Sequence, residues 1–132
     1  MATTRRVITS ERVAKQILPI ANAVAVGNLV YVSGTVGFRK DRSFAKGDFR
    51  EQARQALENV KAVLEDAGSS LDLVVKVNVV IDSKDNFPTF NEVYRQYFKE
   101  GNYPARATTV ASLVNPELLV EVECVAEIAG NG

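Results

Sequence analysis

From Leu71 to Asp82 the apolar residues fall on every second position: Leu71, Leu73, Val75, Val77, Val79 and Ile81 alternate with Val74, Lys76, Asn78, Val80 and Asp82. Only an extended strand, whose successive side chains point to opposite faces, turns this spacing into one continuous apolar surface. The first set is expected to face a core. The second mixes Val with Lys and Asn, which suits a sheet face that is partly buried or covered by another subunit. The same alternation returns from Leu118 to Ala129, with Leu118, Val120, Val122, Cys124, Ala126 and Ile128 on one face and Leu119, Glu121, Glu123, Val125 and Glu127 on the other. Cys124 sits in the apolar row and reads as an inert core thiol.

The remaining segments fit around these strands. Ala23–Val26 and Leu29–Ser33 flank Gly27-Asn28, a two-residue hairpin turn. Gly34 and Gly37 mark either a bulge or close backbone approach, or plain strand ends. Residues 38–47 alternate charge with Gly, Ser and Phe44 and read as a mobile loop. Asp48 and Glu51 have capping-box spacing ahead of Phe49, Ala53, Ala56, Leu57, Val60, Val63 and Leu64, predicting a helix from about Asp48 to Ala67 that Gly68 ends. Arg50, Arg54, Lys61 and Glu65 lie off this stripe, with Lys61 and Glu65 spaced as an ion pair. A second helix is predicted from about Asn86 to Lys99, with Pro88 in its first turn and Phe87, Phe90, Tyr94, Tyr97 and Phe98 as a core stripe. Next comes a strand from Arg106 to Val114, a turn at Asn115-Pro116-Glu117 and the last strand, forming a second hairpin. A short extra strand is placed at Arg6 to Thr9. The expected fold is α+β: a sheet of five or six strands, two helices on one face, and one domain over residues 1–132. The open face, carrying Val74, Val80, Leu119 and Val125, suits an oligomer contact.

Composition narrows the chemistry. The chain of 132 residues has no His and one Cys, so His-based triads and His-rich metal sites are excluded and no internal disulfide forms. Acid–base work falls to carboxylates, Lys, Tyr or water. The 16 basic residues balance the 16 acidic ones, which argues against nucleic acid as a partner. No apolar run is long enough to span a membrane. The start, Met1-Ala2-Thr3-Thr4-Arg5-Arg6, has no signal-peptide core, so the cytoplasm is the expected compartment.

Among the candidate reactive groups, Arg106 opens a strand after Pro104 and offers a forked donor pair for a carboxylate, or else is an exposed strand-end charge. In the hairpin reading Glu121 lies opposite, as its salt-bridge partner or as a base. Glu123 and Glu127 read as a solvated edge.

The segment Tyr103-Pro104-Ala105-Arg106, followed by Val120-Glu121-Val122-Glu123, resembles the C-terminal signature of the RidA family, also called YjgF. Gly27-Asn28, Ser33-Gly34, the stretch Gln52 to Val60 and the stretch Asn91 to Tyr94 fall in the family's order, so the likeness covers nearly the whole chain. The resemblance implies a chorismate-mutase-like α+β fold and a homotrimer with clefts between subunits. It also implies cofactor-free and metal-free hydrolysis of enamines and imines, such as 2-aminoacrylate, to 2-keto acids and ammonia. By the same resemblance, Arg106 clamps the substrate carboxylate and Glu121 holds or activates water. Ser33, Gly34 and Asn91 line the cleft, and the Thr108 backbone helps fix the carboxylate or the water.

Two positions depart from the family pattern. Leu18-Pro19-Ile20 stands where many active members have Gly-Pro-Tyr, and Thr108 stands where a Cys is common. Ile20 makes the cleft more apolar and points to a bulkier imine. Two alternatives stay open: a non-catalytic trimer that binds a small carboxylate, favoured by Ile20, and an RNA-cleaving translation inhibitor, which the neutral net charge argues against.

Overall fold

The computed structural model describes residues 4–129. Residues 1–3, part of the start read above as lacking a signal-peptide core, lie outside the described residues. The elements are β1 (Arg5–Ile8), β2 (Ala23–Val26), β3 (Leu29–Thr35), α1 (Phe49–Asp66), β4 (Val74–Ile81), α2 (Phe87–Tyr97), β5 (Ala105–Val110) and β6 (Val120–Glu127). The strands form one mixed sheet in the order β1-β2-β3-β6-β4-β5. Its pairs are antiparallel except β4 with β5, which is parallel.

The first hairpin forms as the sequence predicts: Val26 pairs with Leu29, and Gly27 takes the left-handed conformation (φ 61°) that its turn demands. Helix α1 starts where the Asp48 carboxylate accepts the Glu51 N–H at 3.0 Å, and Gly68 follows its end at φ 84°. Its predicted stripe is buried throughout against β3 and β6, and α2 packs beside it on the same face. The polar face differs in one detail. Glu65 is held by Arg12 at 2.9 Å rather than by Lys61.

Three strand readings are corrected. The C-terminal hairpin does not exist: β5 ends at Val110 and pairs in parallel with β4 at the sheet edge, while β6 inserts between β3 and β4. Alternation reports the pleat of a strand but not its neighbour. The unbroken apolar row of β6 is best covered at the centre, and the polar row of β5 tolerates an edge. In β4, Val77, Val79 and Ile81 face the core as expected, but Leu71–Leu73 form a 3-10 turn. A register shift between Val74 and Lys76 then buries Val74 and exposes Val75. The open face therefore presents Val7, Tyr31 and Val75, with Val80 and Val125 half-buried.

The aromatic stripe of α2 also divides. Phe90, Tyr94 and Phe98 are buried, Tyr97 is half-buried, and Phe87 is 41% exposed. The loop read as mobile is fastened. Asn59 donates to the carbonyls of Val36 and Phe38, and Lys40 and Arg42 donate to carbonyls of residues 11, 13 and 15. Gln52, fully buried on α1, donates to the Ala45 and Glu117 carbonyls and accepts the Leu119 N–H. One side chain thus stitches both long loops to the helix, and each of its polar atoms has a partner.

Candidate active site

The parallel pairing of β5 decides where Arg106 points. Arg106 lies level with Val77 of β4, which is level with Cys124 of β6, and both of these are fully or nearly buried on the helix-covered face. The guanidinium is therefore aimed under α2. There it stacks on Tyr94 at 4.6 Å, with Phe90 at 5.5 Å and Phe87 at 5.8 Å, and its Nη2 donates to Asn91 Oδ1 at 2.7 Å. Aromatic faces attract the cation while leaving its edge donors free, and the Asn91 bond fixes its rotation. Among the described residues, Arg106 takes part in no ion pair with a carboxylate.

Arg106 lines two cavities. One of about 300 Å³ is lined by Asn91, Tyr94, Arg95, Tyr103, Pro104 and Arg106. The other, of about 440 Å³, is lined by Ile81, Lys84, Phe87, Arg106, Thr108 and Val110. Burial pushes the Tyr94 hydroxyl up to about 12, against the pull of Arg106, so it stays protonated. The Cys124 thiol is likewise raised to about 12 by burial, in keeping with an inert core thiol.

Glu121 lies elsewhere. It is level with Val80 and Thr109, on the open face of the sheet. From Arg106 it is separated by two strand spacings, ~10 Å, and by a further ~10 Å along the strand from Cys124. The two side chains leave opposite faces, so the salt bridge allowed by the hairpin reading is ruled out within one chain. Burial, and then the like charge of Glu123, raise the Glu121 carboxyl above its usual range. Asn78 donates to Glu123 at 3.2 Å.

Around Glu121 the structure gathers the other sequence candidates. The β3–β6 register shifts between Val32 and Thr35, a bulge that contains Ser33 and Gly34. A Cβ on Gly34 would lie 2.7 Å from Glu121 Cδ, so only glycine lets the carboxylate lie flat on this backbone. The Ser33 hydroxyl donates to the Ala21 carbonyl at 2.6 Å, and its N–H donates to the Asn22 carbonyl, tying the bulge to the segment that carries Ile20. Ile20 is 46% exposed. The predicted set thus splits in two: Arg106, Asn91 and Thr108 at the β5 edge, and Glu121, Gly34, Ser33 and Ile20 on the β3–β6 side. Phe87, Tyr94 and Lys84 join the first group. The first two had been read only as core, and Lys84 carries no sequence signal beyond its place before a helix.

The family model described as Endoribonuclease L-PSP matches residues 12–128. The chain belongs to the RidA family. Its RidA relatives include a RutC family protein of Pyrococcus abyssi, 39% identical over 92% of this chain and 96% of its own. The human 2-iminobutanoate/2-iminopropanoate deaminase is 37% identical over 92% of this chain and 89% of its own. Among solved RidA structures, Escherichia coli TdcF with bound serine superposes with a TM-score of 0.87 at 31% identity, covering 94% of this chain and 99% of that one. The α+β sheet and its two helices are thus those of RidA proteins.

Proposed function

We propose that this chain hydrolyses 2-imino acids and their enamine tautomers to 2-keto acids and ammonia, in clefts formed between copies of a cytoplasmic homotrimer of one-domain subunits. The observation that carries this reading is Arg106: a guanidinium braced by Asn91 and three rings, at an open edge, without a carboxylate of its own. It offers paired donors to the substrate carboxylate. Glu121 supports the rest. It lies too far from Arg106 to serve the same ligand within one chain, so a second copy, seated by the exposed Val7, Tyr31 and Val75 of its open face, would bring Glu121 to the β5 edge.

The chemistry needs few groups. The carboxylate of Glu121 takes a proton from water as the water oxygen bonds to the imine carbon, and the nitrogen gains that proton. As the resulting carbinolamine collapses, its hydroxyl proton passes by way of Glu121 to the nitrogen, the C–N bond breaks, ammonia leaves and the keto C=O forms. Imines are electrophilic already, so fixing carboxylate, water and base supplies most of the acceleration. The E. coli relative with bound serine, a small amino acid, supports a small-molecule ligand for this chain.

The test is a coupled assay in which an amino acid oxidase generates imines in the presence of semicarbazide. The native protein should suppress semicarbazone formation, and Arg106→Ala should abolish that suppression. Ile20 favours a second reading, a trimer that holds a carboxylate without turnover, and ligand binding without suppression would establish it.

A further inference from the structure

The cavity of about 440 Å³ beside β5 is lined by two basic residues, Arg106 and Lys84, and its remaining lining residues, Ile81, Phe87, Thr108 and Val110, include no carboxylate. Lys84 is presented by the 3-10 turn Lys84–Asn86, whose Lys84 carbonyl accepts the Phe87 N–H at the start of α2. Its backbone is thus fixed while its ammonium stays on a flexible stem. Among the described residues neither cation belongs to an ion pair. Of the nearby acids, Asp82 is engaged by the Asn86 amide at 2.8 Å, and Asp85 does not line the cavity.

A substrate with a single carboxylate satisfies only one of these charges. We propose that the cleft selects 2-imino acids whose side chain carries a second carboxylate, with Arg106 holding the carboxylate next to the imine and Lys84 the distal one. Arg106, immobilised among its rings, supplies the fixed point, and Lys84 adjusts to the length of the side chain. Ile81, Phe87 and Val110 give the intervening methylenes an apolar wall. The inference rests on the deaminase reading and names the substrate class of that site.

The experiment compares kcat/KM for the imines of glutamate and leucine, generated by the matching oxidases, in the native protein, Lys84→Met and Lys84→Glu. The acidic-to-neutral ratio should favour the acidic imine at least tenfold in the native protein, fall about tenfold in Lys84→Met and invert in Lys84→Glu. A native preference for the neutral imine, or ratios that agree within about twofold in all three proteins, would overturn the inference while the deaminase reading stands. Calorimetric binding of 2-oxoglutarate and of the keto acid of leucine separates the two if no imine is cleared. Tighter binding of the dicarboxylate, lost in Lys84→Met, then supports the selection by charge, and equal affinities overturn it.

Discussion

Gly34 and Gly37 look alike in sequence, two strand-end glycines a turn apart, but their surroundings set opposite consequences for the same substitution. A Cβ on Gly34 meets the end of the Glu121 side chain at 2.7 Å, whereas one on Gly37 meets the Gln52 carbonyl of α1 at 2.6 Å. A side chain can swing away and a helix backbone cannot. If Glu121 acts as proposed, Gly34→Ala should therefore leave the melting temperature nearly unchanged but lower imine turnover about 100-fold, because an ångström of displacement of a catalytic group costs that much. Gly37→Ala should cost about 2 to 3 kcal/mol of stability in denaturant titrations. Glu121 makes a second prediction at this scale. In its proposed role as a base it works ionised, so activity should fall as pH drops through its pKa. Burial and Glu123 raise that pKa, so the fall begins above the ordinary carboxylate range. Removing the like charge with Glu123→Gln should move the acid limb of the pH–rate profile to lower pH without restoring the ordinary value, since burial, the larger cause, remains.

At the scale of elements, the helices and the first hairpin follow from local chemistry. The cap at Asp48, the stop at Gly68 and the turn at Gly27 are each satisfied by neighbours a few residues away, which is why spacing alone locates them. The β5–β6 connection fails that test because nothing within residues 111–119 specifies which strand β6 will join. Gln52 contributes to the choice from a distance, by binding the Leu119 N–H and the Glu117 carbonyl ahead of β6. Gln52→Leu strands these buried groups and should cost about 2 to 4 kcal/mol of unfolding free energy, read as a lowered denaturant midpoint. Imine turnover should fall in parallel as the β6 entry loosens.

For the whole molecule, the splitting of the predicted site has a direct test. Arg106→Ala and Glu121→Gln should each be inactive alone, and equal amounts unfolded and refolded together should recover about a quarter of native activity, because that fraction of clefts draws an intact Arg106 from one copy and an intact Glu121 from another. Recovery of none would overturn the cleft shared between copies. The open face carries the complementary expectation: Tyr31→Glu or Val75→Glu should lower the mass seen in analytical ultracentrifugation and reduce turnover together.

The sequence alone located both helices, the first hairpin and most of the buried face, because capping, turn and alternation signals are local, and the distinctive order of the Arg106 and Glu121 segments singled out those two residues as candidates. It did not determine that β6 lies between β3 and β4, that Val74 replaces Val75 in the core, or that Arg106 and Glu121 leave opposite faces. Strand partners and bulges are chosen by the total burial of the sheet, a property of residues far apart in the chain. The rings beneath Arg106 and the pairing of Lys84 with it in one cavity have the same origin. Helix α2 and strand β5 are separate in sequence, and only their packing brings those side chains together.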